Sequence, residues 1–376
     1  MFYSEKTSTR VLHVVDTLSP SSGVCSVVMD YIRNTDRVGC KIDVATHKSC
    51  DKDLAEEIFS FAGKVHRLPD ISCSSFLKYK KAFADVLSKH PYPIVHGHVA
   101  NSAFLYMREA SRLGVPHRVM HAHSTKGSSS LPKRLRNKVL QAGIPVWCNH
   151  YFACSVPAAE YLYPAGIREQ AVVLPNSIDP GRFRYDPSIR DEARLELGIK
   201  PGEFCLGHVG RFDRAKNHGF LLDMFASLQR QAPYSRLVLV GDGDLENSVR
   251  KKASDLGISG AVVFLGRRSD SERLFQAFDL FVMPSLFEGW GLAAMEAQCA
   301  GLPCLLSDKI PSAVNLTGNA VFLPLGDPGL WANAALKNTI GFERWDQSRR
   351  IVEKGLDGAT QAERLGKIYR EFLQGM

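Results

Sequence analysis

The sequence predicts an α/β protein of two domains, each a parallel sheet with helices on both faces. Short apolar β-rich runs alternate with helix-like stretches across residues 11–174, and a second alternating series begins at Phe204. That rhythm is what parallel strands joined by crossover helices produce. Between the two series, a Pro/Gly-rich and charged run from Pro180 to Pro201 reads as a linker with a short helix. A length of 376 residues suits two domains, against about 100–200 residues for one. The expected domains are residues 1–185 and 186–358, with a last helix over 359–376.

Composition narrows the class. Hydrophobic content of 45% and charged content of 23% are ordinary for a soluble globular chain. No run of about 18 apolar residues could cross a membrane, and the start, MFYSEKTSTR, has no apolar signal core. The expected location is therefore cytoplasmic. The nine cysteines form no C-x2-C pair, which argues against a zinc knuckle and a disulfide frame. The net charge of +8 is uneven: residues 1–180 hold 22 Lys/Arg and 15 Asp/Glu, so 22 − 15 = +7, leaving +1 for the rest. A basic first half suits a diphosphate-bearing lipid or an anionic bilayer surface. Nucleic acid ranks last, because no recognised binding motif or aromatic run accompanies the charge.

In the first half the spacing predicts strands at Val11–Asp16, Ile42–His47, Lys64–Leu68, Ile94–His98, Arg118–His123, Tyr151–Cys154 and Val172–Leu174. Helices fall near 24–33, 52–62, 74–89, 101–113, 131–142 and 156–163. Ligands of such sheets sit beyond the carboxyl ends of strands. The loop DTLSPSSGVCS after the first strand fits that rule, and Gly23 lets backbone approach a ligand at a helix start; a plain strand-to-helix turn is the simpler reading. Four histidines, His96, His98, His121 and His123, cluster at strand ends. They could ligate a metal, but no neighbouring Cys or carboxylate completes a set, and no metal is expected. In KGSSSLPKRLRNKVLQA, Lys133, Arg134, Arg136 and Lys138 interleave with Leu131, Leu135, Val139 and Leu140 at helical spacing. This is either a basic amphipathic helix that lies on anionic lipid through residues 131–140 or a solvated face over a core helix.

The second half carries the denser motifs. In CLGHVGRFDRAKNHGF a strand ends at Gly210, and Arg211 and Lys216 follow around a loop entering a helix. An Arg fork and a Lys point charge together suit a diphosphate. LVLVGDGDLE places Gly241 and Gly243 at a strand end. The third glycine of a dinucleotide fingerprint is absent, and Asp242-Gly243-Asp244 reads better as a turn and helix cap than as a metal site. The stretch MPSLFEGWGLAAMEAQCAGLPCL, Met283 to Leu305, organises the chain. A loop from Pro284 to Trp290 leads into an apolar helix over roughly 291–300, ended by Gly-Leu-Pro. The first amides of that helix, at Gly291 and Leu292, have no partner inside it. With about half a positive charge from the aligned dipoles, they form an anion site. Glu288 and Glu296 flank it, eight residues apart. Glu296 is placed to accept both hydroxyls of a ribose, and Glu288 the hydroxyls of a second sugar.

These segments resemble glycosyltransferase family 4, the retaining nucleotide-sugar transferases of the GT-B fold. PSLFEGWGLAAMEAQCAGLPCLLSD carries the family's E-x7-E, and GRFDRAKNHGFLLDMFASL, LVLVGDGDLENSV and VVFLGRRSD extend the match, which is close to bacterial exopolysaccharide and capsule enzymes. The resemblance implies two Rossmann-like domains facing across a cleft, with the last helix crossing back to the first domain. It also implies a nucleoside-diphosphate sugar donor, UDP-linked, and no cofactor. The acceptor is a saccharide or a polyprenyl-diphosphate-linked one. By register His123, ending HRVMHAH, takes the family's histidine role at the donor sugar; His98 is a weaker candidate on the acceptor side, and His96 and His121 anchor sheet or loops. Arg211 and Lys216 stabilise the leaving diphosphate, Glu296 holds the ribose, Glu288 and His123 hold the sugar, and Gly291 and Leu292 supply amides. Gly241, Gly243 and the backbone of Phe264–Arg267, Leu265 included, lie near the nucleoside. Three departures stand out: Ser22 replaces the first glycine of a common pair, Ser177 replaces a glycine in VLPNSIDP, where Asn176 is expected to contact ligand, and Ala313 replaces a usual glutamate. With no carboxylate nucleophile in the catalytic motifs, the resemblance implies front-face attack. An epimerase or phosphorylase on the same fold, a binding protein with a dead site, and an NAD dehydrogenase are the rivals. The first pair lack their acid/base carboxylates or cofactor lysine, the second is opposed by the intact charged set, and the third by the missing glycine.

Overall fold

The structure, a computed structural model, describes residues 9–20, 22–72, 74–125, 131–338 and 342–375. Residues 126–130 of the basic segment lie outside them. Contacts divide the chain into two compact units, residues 1–177 with 358–376, and residues 178–357.

The first unit is built on seven parallel strands: β1 (Arg10–Val15), β2 (Lys41–Thr46), β3 (Val65–Arg67), β4 (Ile94–Gly97), β5 (His117–Ala122), β6 (His150–Ala153) and β7 (Val172–Val173). All seven expected strands are present, displaced by at most one residue at each end. Their spatial order is β3-β2-β1-β4-β5-β6-β7, so the direction of winding reverses between β1 and β4. Strands covered on both faces must be apolar throughout, and Val11, Leu12, Val14 and Ile94 are fully buried. His13 sits fully buried among them, directly opposite His96 in the β1/β4 ladder.

The second unit repeats the plan with six parallel strands: β8 (Phe204–Val209), β9 (Ser235–Val240), β10 (Val262–Phe264), β11 (Leu280–Met283), β12 (Cys304–Ser307) and β13 (Ala320–Leu323). The order is β10-β9-β8-β11-β12-β13, with its reversal between β8 and β11. Its core runs through Leu206, Leu237, Leu239, Val282 and Leu305, closed by Phe225 and Trp331 from the helices. Both sheets thus have the doubly wound order in which ligands bind outside the strand ends at the reversal.

The last helix, Gly358–Gln374, belongs to the first unit. It packs on the helices Gly23–Arg33 and Thr35–Val38. Gly366 permits the approach: a Cβ there would lie 2.6 Å from the carbonyl oxygens of Arg37 and Val38. Tyr369, from the same helix, is buried against the sheet. Eight cysteines are described, all free and seven buried, and burial pushes the thiols of those seven up, Cys25 to about 11. Among the described residues no helix is long and apolar enough to cross a membrane.

Candidate active site

The loops after β8 and β11 flank the winding reversal of the second unit, and local backbone chemistry ties them together. Asp213 Oδ1 accepts from the amides of Ala215 at 2.9 Å and Lys216 at 3.3 Å, which tightens the first loop. Asn217 then takes φ +55°, a left-handed conformation that Asn tolerates better than other side-chain-bearing residues. Its Nδ2 donates to the Pro284 carbonyl at 3.2 Å, and the Leu286 amide donates to the Ala215 carbonyl at 2.7 Å. Lashed in this way, the loops bring Lys216 Nζ to 2.6 Å from Glu288 Oε1, and Ser285 Oγ donates to the same oxygen at 2.7 Å. The two charged side chains keep only 19% and 12% exposure. An ion pair so shielded gains little net stability, because desolvation offsets most of the attraction. Arg211, on the same loop, is exposed.

Beneath Lys216 lies His208, whose Nδ1 is 2.8 Å from the Val282 carbonyl. Burial lowers its pKa to about 4, so it is neutral. A Cβ at Gly210 would come within 3.0 Å of His208 Nε2 and 3.1 Å of Lys216 Cδ, so glycine lets the two side chains sit this close without shifting by a few tenths of an ångström.

The helix Leu292–Cys299 begins where expected, with Gly291 as its N-cap at φ +90° and no side chain capping its amides. Elsewhere in the chain, Asp51, Asp179, Asp186 and Asp327 cap their helices with a carboxylate. The bare start leaves the amides of Leu292 and Ala293 facing forward. Ile310 and Val314 lie 3.7 Å from where a Gly291 Cβ would stand, so the loop carrying exposed Ala313 folds over this helix start. Gln298 holds that loop: its Nε2 donates to the Val314 carbonyl at 2.8 Å and its Oε1 accepts the Leu316 amide at 2.8 Å. Glu296 is half-buried on the helix.

Gly241 and Gly243 act on the backbone of the neighbouring loop. A Cβ at Gly241 would be 2.1 Å from the Gly210 carbonyl oxygen, and one at Gly243 would be 2.6 Å from that of Phe212. The Phe212 amide donates to the Asp242 carbonyl at 2.8 Å. The glycines thus let the β9 loop support the loop bearing Arg211. Leu265 commits its amide to the Leu239 carbonyl at 3.0 Å. In the first unit, Gly23 opens a helix, and Ser22 Oγ caps it by accepting from Cys25 N at 3.3 Å. Ser177, buried, donates to Asp30 Oδ2 at 3.1 Å.

The four predicted histidines gather with two residues that spacing did not single out, His13 and Tyr369. His98 Nε2 is 3.0 Å from His13 Nδ1, and His98 Nδ1 is 2.8 Å from His123 Nε2. Tyr369 Oη lies 2.6 Å from His96 Nδ1 and 3.1 Å from His13 Nε2. His96 Nε2 is 3.2 Å from His121 Nδ1. The trios His13/His96/His98 and His98/His121/His123 each hold ligand atoms within 4.8 Å of one another; the second is made of predicted histidines alone, and β1 adds His13 to the first, so three-histidine sets form without the Cys or carboxylate that the sequence reading looked for. Burial lowers every one of these pKa values, His13 to about 3 and His123 to about 4. Asn176 is near enough to His123 to oppose that shift in part, although the geometry falls short of a hydrogen bond. Ser285, His13 and Tyr369 were missed because their roles depend on partners distant in sequence. The one available signal was a histidine within the otherwise apolar run of β1.

Comparison with known proteins agrees with this architecture. Residues 21–182 match the family model described as Glycosyltransferase Family 4, and residues 189–336 match Glycosyl transferases group 1. EpsF of Bacillus subtilis (strain 168), named as a glycosyltransferase, is 33% identical over 330 residues, covering 86% of each chain. The Escherichia coli UDP-Gal:alpha-D-GlcNAc-diphosphoundecaprenol alpha-1,3-galactosyltransferase is 28% identical, covering 80% of each. Among solved structures, Anabaena HepE in complex with UDP and glucose superposes with a TM-score of 0.79 at 19% identity, covering 96% of this chain and 99% of that one. Sucrose-phosphate synthase of Thermosynechococcus elongatus gives 0.78 at 19% identity, covering 98% and 100%. With two doubly wound units, matching models across both, and a relative aligned over most of its length, this chain belongs to the family 4 glycosyltransferases of the GT-B fold.

Proposed function

We propose that the protein is a retaining glycosyltransferase that moves a hexose or N-acetylhexosamine from UDP to a hydroxyl of a saccharide or lipid-linked acceptor during surface polysaccharide synthesis. The observation that carries this is the Lys216–Glu288 pair, 2.6 Å apart at the winding reversal of the second unit and on the loop that leads to the uncapped helix start at Gly291. Breaking a sugar–phosphate bond builds negative charge on the departing diphosphate. Fixed cations and amides aimed at that charge lower the barrier. Lys216 and Arg211 supply the cations, and Leu292 with its neighbour supplies the amides, so the leaving group needs no metal. An ammonium has three donor protons, so Lys216 can keep Glu288 while it binds phosphate. Glu296 takes the ribose hydroxyls, the Leu265 carbonyl faces the base, and Glu288 and His123 take sugar hydroxyls.

The donor assignment draws on the galactosyltransferase, whose name specifies UDP-Gal, and on HepE structures with UDP-glucose and with UDP. The acceptor class draws on the diphosphoundecaprenol in the same enzyme's name. We further propose attachment to an anionic bilayer through the helix Leu131–Gln141. Its apolar residues Leu131, Leu135 and Val139 are 75%, 67% and 68% exposed, while Asn137 is the buried one. A core helix would have the reverse arrangement, whereas exposed leucines beside Lys133, Arg134, Arg136 and Lys138 suit an interfacial helix.

A donor panel tests the reading: UDP-, GDP-, ADP- and dTDP-sugars are offered with lipid-linked and free saccharide acceptors, and released nucleotide and product are measured. A UDP-hexose should give product with the donor's anomeric configuration. Product with inverted configuration, or use of only a non-uridine donor, contradicts it.

A further inference from the structure

We infer that Tyr369 and His13 are positioning residues that fix the ring tautomer of His123, leaving His123 Nδ1 as a hydrogen-bond acceptor. The inference rests on the reading of His123 as a sugar ligand for its consequence in transfer, and on geometry alone for the tautomer.

Side chains two apart along a strand share a face, and three adjacent strands put His13, His96, His98, His121 and His123 on one face of the sheet. The last helix lays Tyr369 among them. Their hydrogen-bond contacts form one unbranched sequence: His123, His98, His13, Tyr369, His96, His121. The rings at its two ends stack with centroids 4.1 Å apart, so the sequence folds back almost into a circle. Among the described residues, His123 Nδ1 and His121 Nε2 are the only nitrogens of these five rings without a hydrogen-bond partner, and both are buried. They are the two ends of the chain.

A neutral imidazole has one donor and one acceptor nitrogen. Protons along such a chain must therefore all point the same way, and choosing the direction at one link sets every link. Tyr369 is where the direction is legible. An O–H donor makes shorter bonds than an N–H donor, and Tyr369 Oη is 2.6 Å from His96 Nδ1 but 3.1 Å from His13 Nε2. Tyr369 thus donates to His96 and accepts from His13 Nε2–H. His13 Nδ1 must then accept from His98 Nε2–H, and His98 Nδ1 must accept from His123 Nε2–H. His123 Nδ1 is left with a lone pair, suited to a hydroxyl, or to the Asn176 amide nitrogen, that donates to it; Asn176 turned with Oδ1 toward the ring would instead favour a proton on Nδ1 and the opposite direction along the chain. At the other end His96 Nε2–H donates to His121 Nδ1, and His121 Nε2 bears a proton; the nearby Leu174 carbonyl favours it there. Burial keeps all five rings neutral, which the alternation requires. A metal held by the trios would have to break the chain, because it uses every ring lone pair except the one at His123 Nδ1.

Long-range proton–nitrogen correlation spectra of protein labelled with 15N-histidine read the tautomer of each ring directly. The His123 signals are identified by their loss in His123→Gln. In the wild-type protein His123 should carry its proton on Nε2. In Tyr369→Phe its two nitrogen shifts should move toward averaged values, because neither direction is then favoured. A wild-type His123 protonated on Nδ1 overturns the inference, and so does an unchanged tautomer in Tyr369→Phe. Should that variant fail to fold, the wild-type spectrum still decides. Transfer assays on the same variant separate the two readings. A shifted tautomer with at least a several-fold lower kcat and unchanged donor KM supports both. A shifted tautomer with unchanged kcat leaves the chain standing and removes His123 from the sugar.

Discussion

Glu288 Oε1 receives both Lys216 Nζ and Ser285 Oγ, so this carboxylate organises the cation before any ligand arrives. Glu296 sits one helix turn beyond the bare helix start, on the helix itself and not on the loop that carries Glu288. The two glutamates should therefore fail differently. Glu296→Ala should weaken UDP binding about 10- to 100-fold, the loss of roughly 1.5–3 kcal/mol expected for hydrogen bonds to a charged group. Calorimetric titration checks it, and unchanged affinity refutes the ribose role. Glu288→Ala should lower kcat about 100-fold, as removal of one electrostatic contact to the reacting groups does, with a smaller change in UDP affinity. At this scale the meeting of Lys216 with Glu288 was legible, because residue type and loop position put a cation and an acid at neighbouring strand ends. Ser285 was not legible, since a serine in a loop has many uses, nor was Tyr369, whose partner His96 lies 273 residues away.

The strands and the helix at Gly291 were readable because continuous apolar runs ended by glycine leave few alternatives. The orientation of the helix Leu131–Gln141 was not. Helical spacing of leucines and basic residues fixes which residues share a face, but not whether that face points inward. Here Leu131, Leu135 and Val139 point out, Leu140 is half-buried and Asn137 points in. If this helix binds bilayers, Arg134→Glu with Arg136→Glu should reduce co-sedimentation with anionic vesicles. Each basic residue near such a surface contributes about 1 kcal/mol, so the double variant should lose at least about 30-fold in partitioning. Wild-type binding that is the same on neutral and anionic vesicles would count against the proposal.

At the scale of the molecule, the alternation of strands and helices predicted two parallel sheets, and both carry the same winding reversal. The burial of histidines was beyond the sequence, because it depends on which helix covers which sheet face. It has a thermodynamic consequence. His13, His96, His98, His121 and His123 in the first unit, and His208 and His218 in the second, are all held below their ordinary value by burial. Folded, they stay neutral; unfolded, they take protons below about pH 6.5. The unfolded state then binds more protons, so stability falls as pH drops from about 6.5 toward the folded values. Each contributes at most about 1.4 kcal/mol per pH unit. Urea midpoints should decrease between pH 7 and pH 5, a range in which ordinary carboxylates remain ionised. A midpoint that is flat or higher at pH 5 would show that these rings accept protons while folded.

The central claim is that a diphosphate is gripped by Arg211, Lys216 and the helix start at Gly291 without a metal. Calorimetric titration of UDP in EDTA-containing buffer, on the wild-type protein and on Arg211→Ala with Lys216→Ala, tests it most directly. The wild-type protein should bind in EDTA, and the double variant should bind about 100-fold or more weakly, two charge-assisted contacts having been removed. Equal affinity in the two proteins, or wild-type binding abolished by EDTA, would contradict the account.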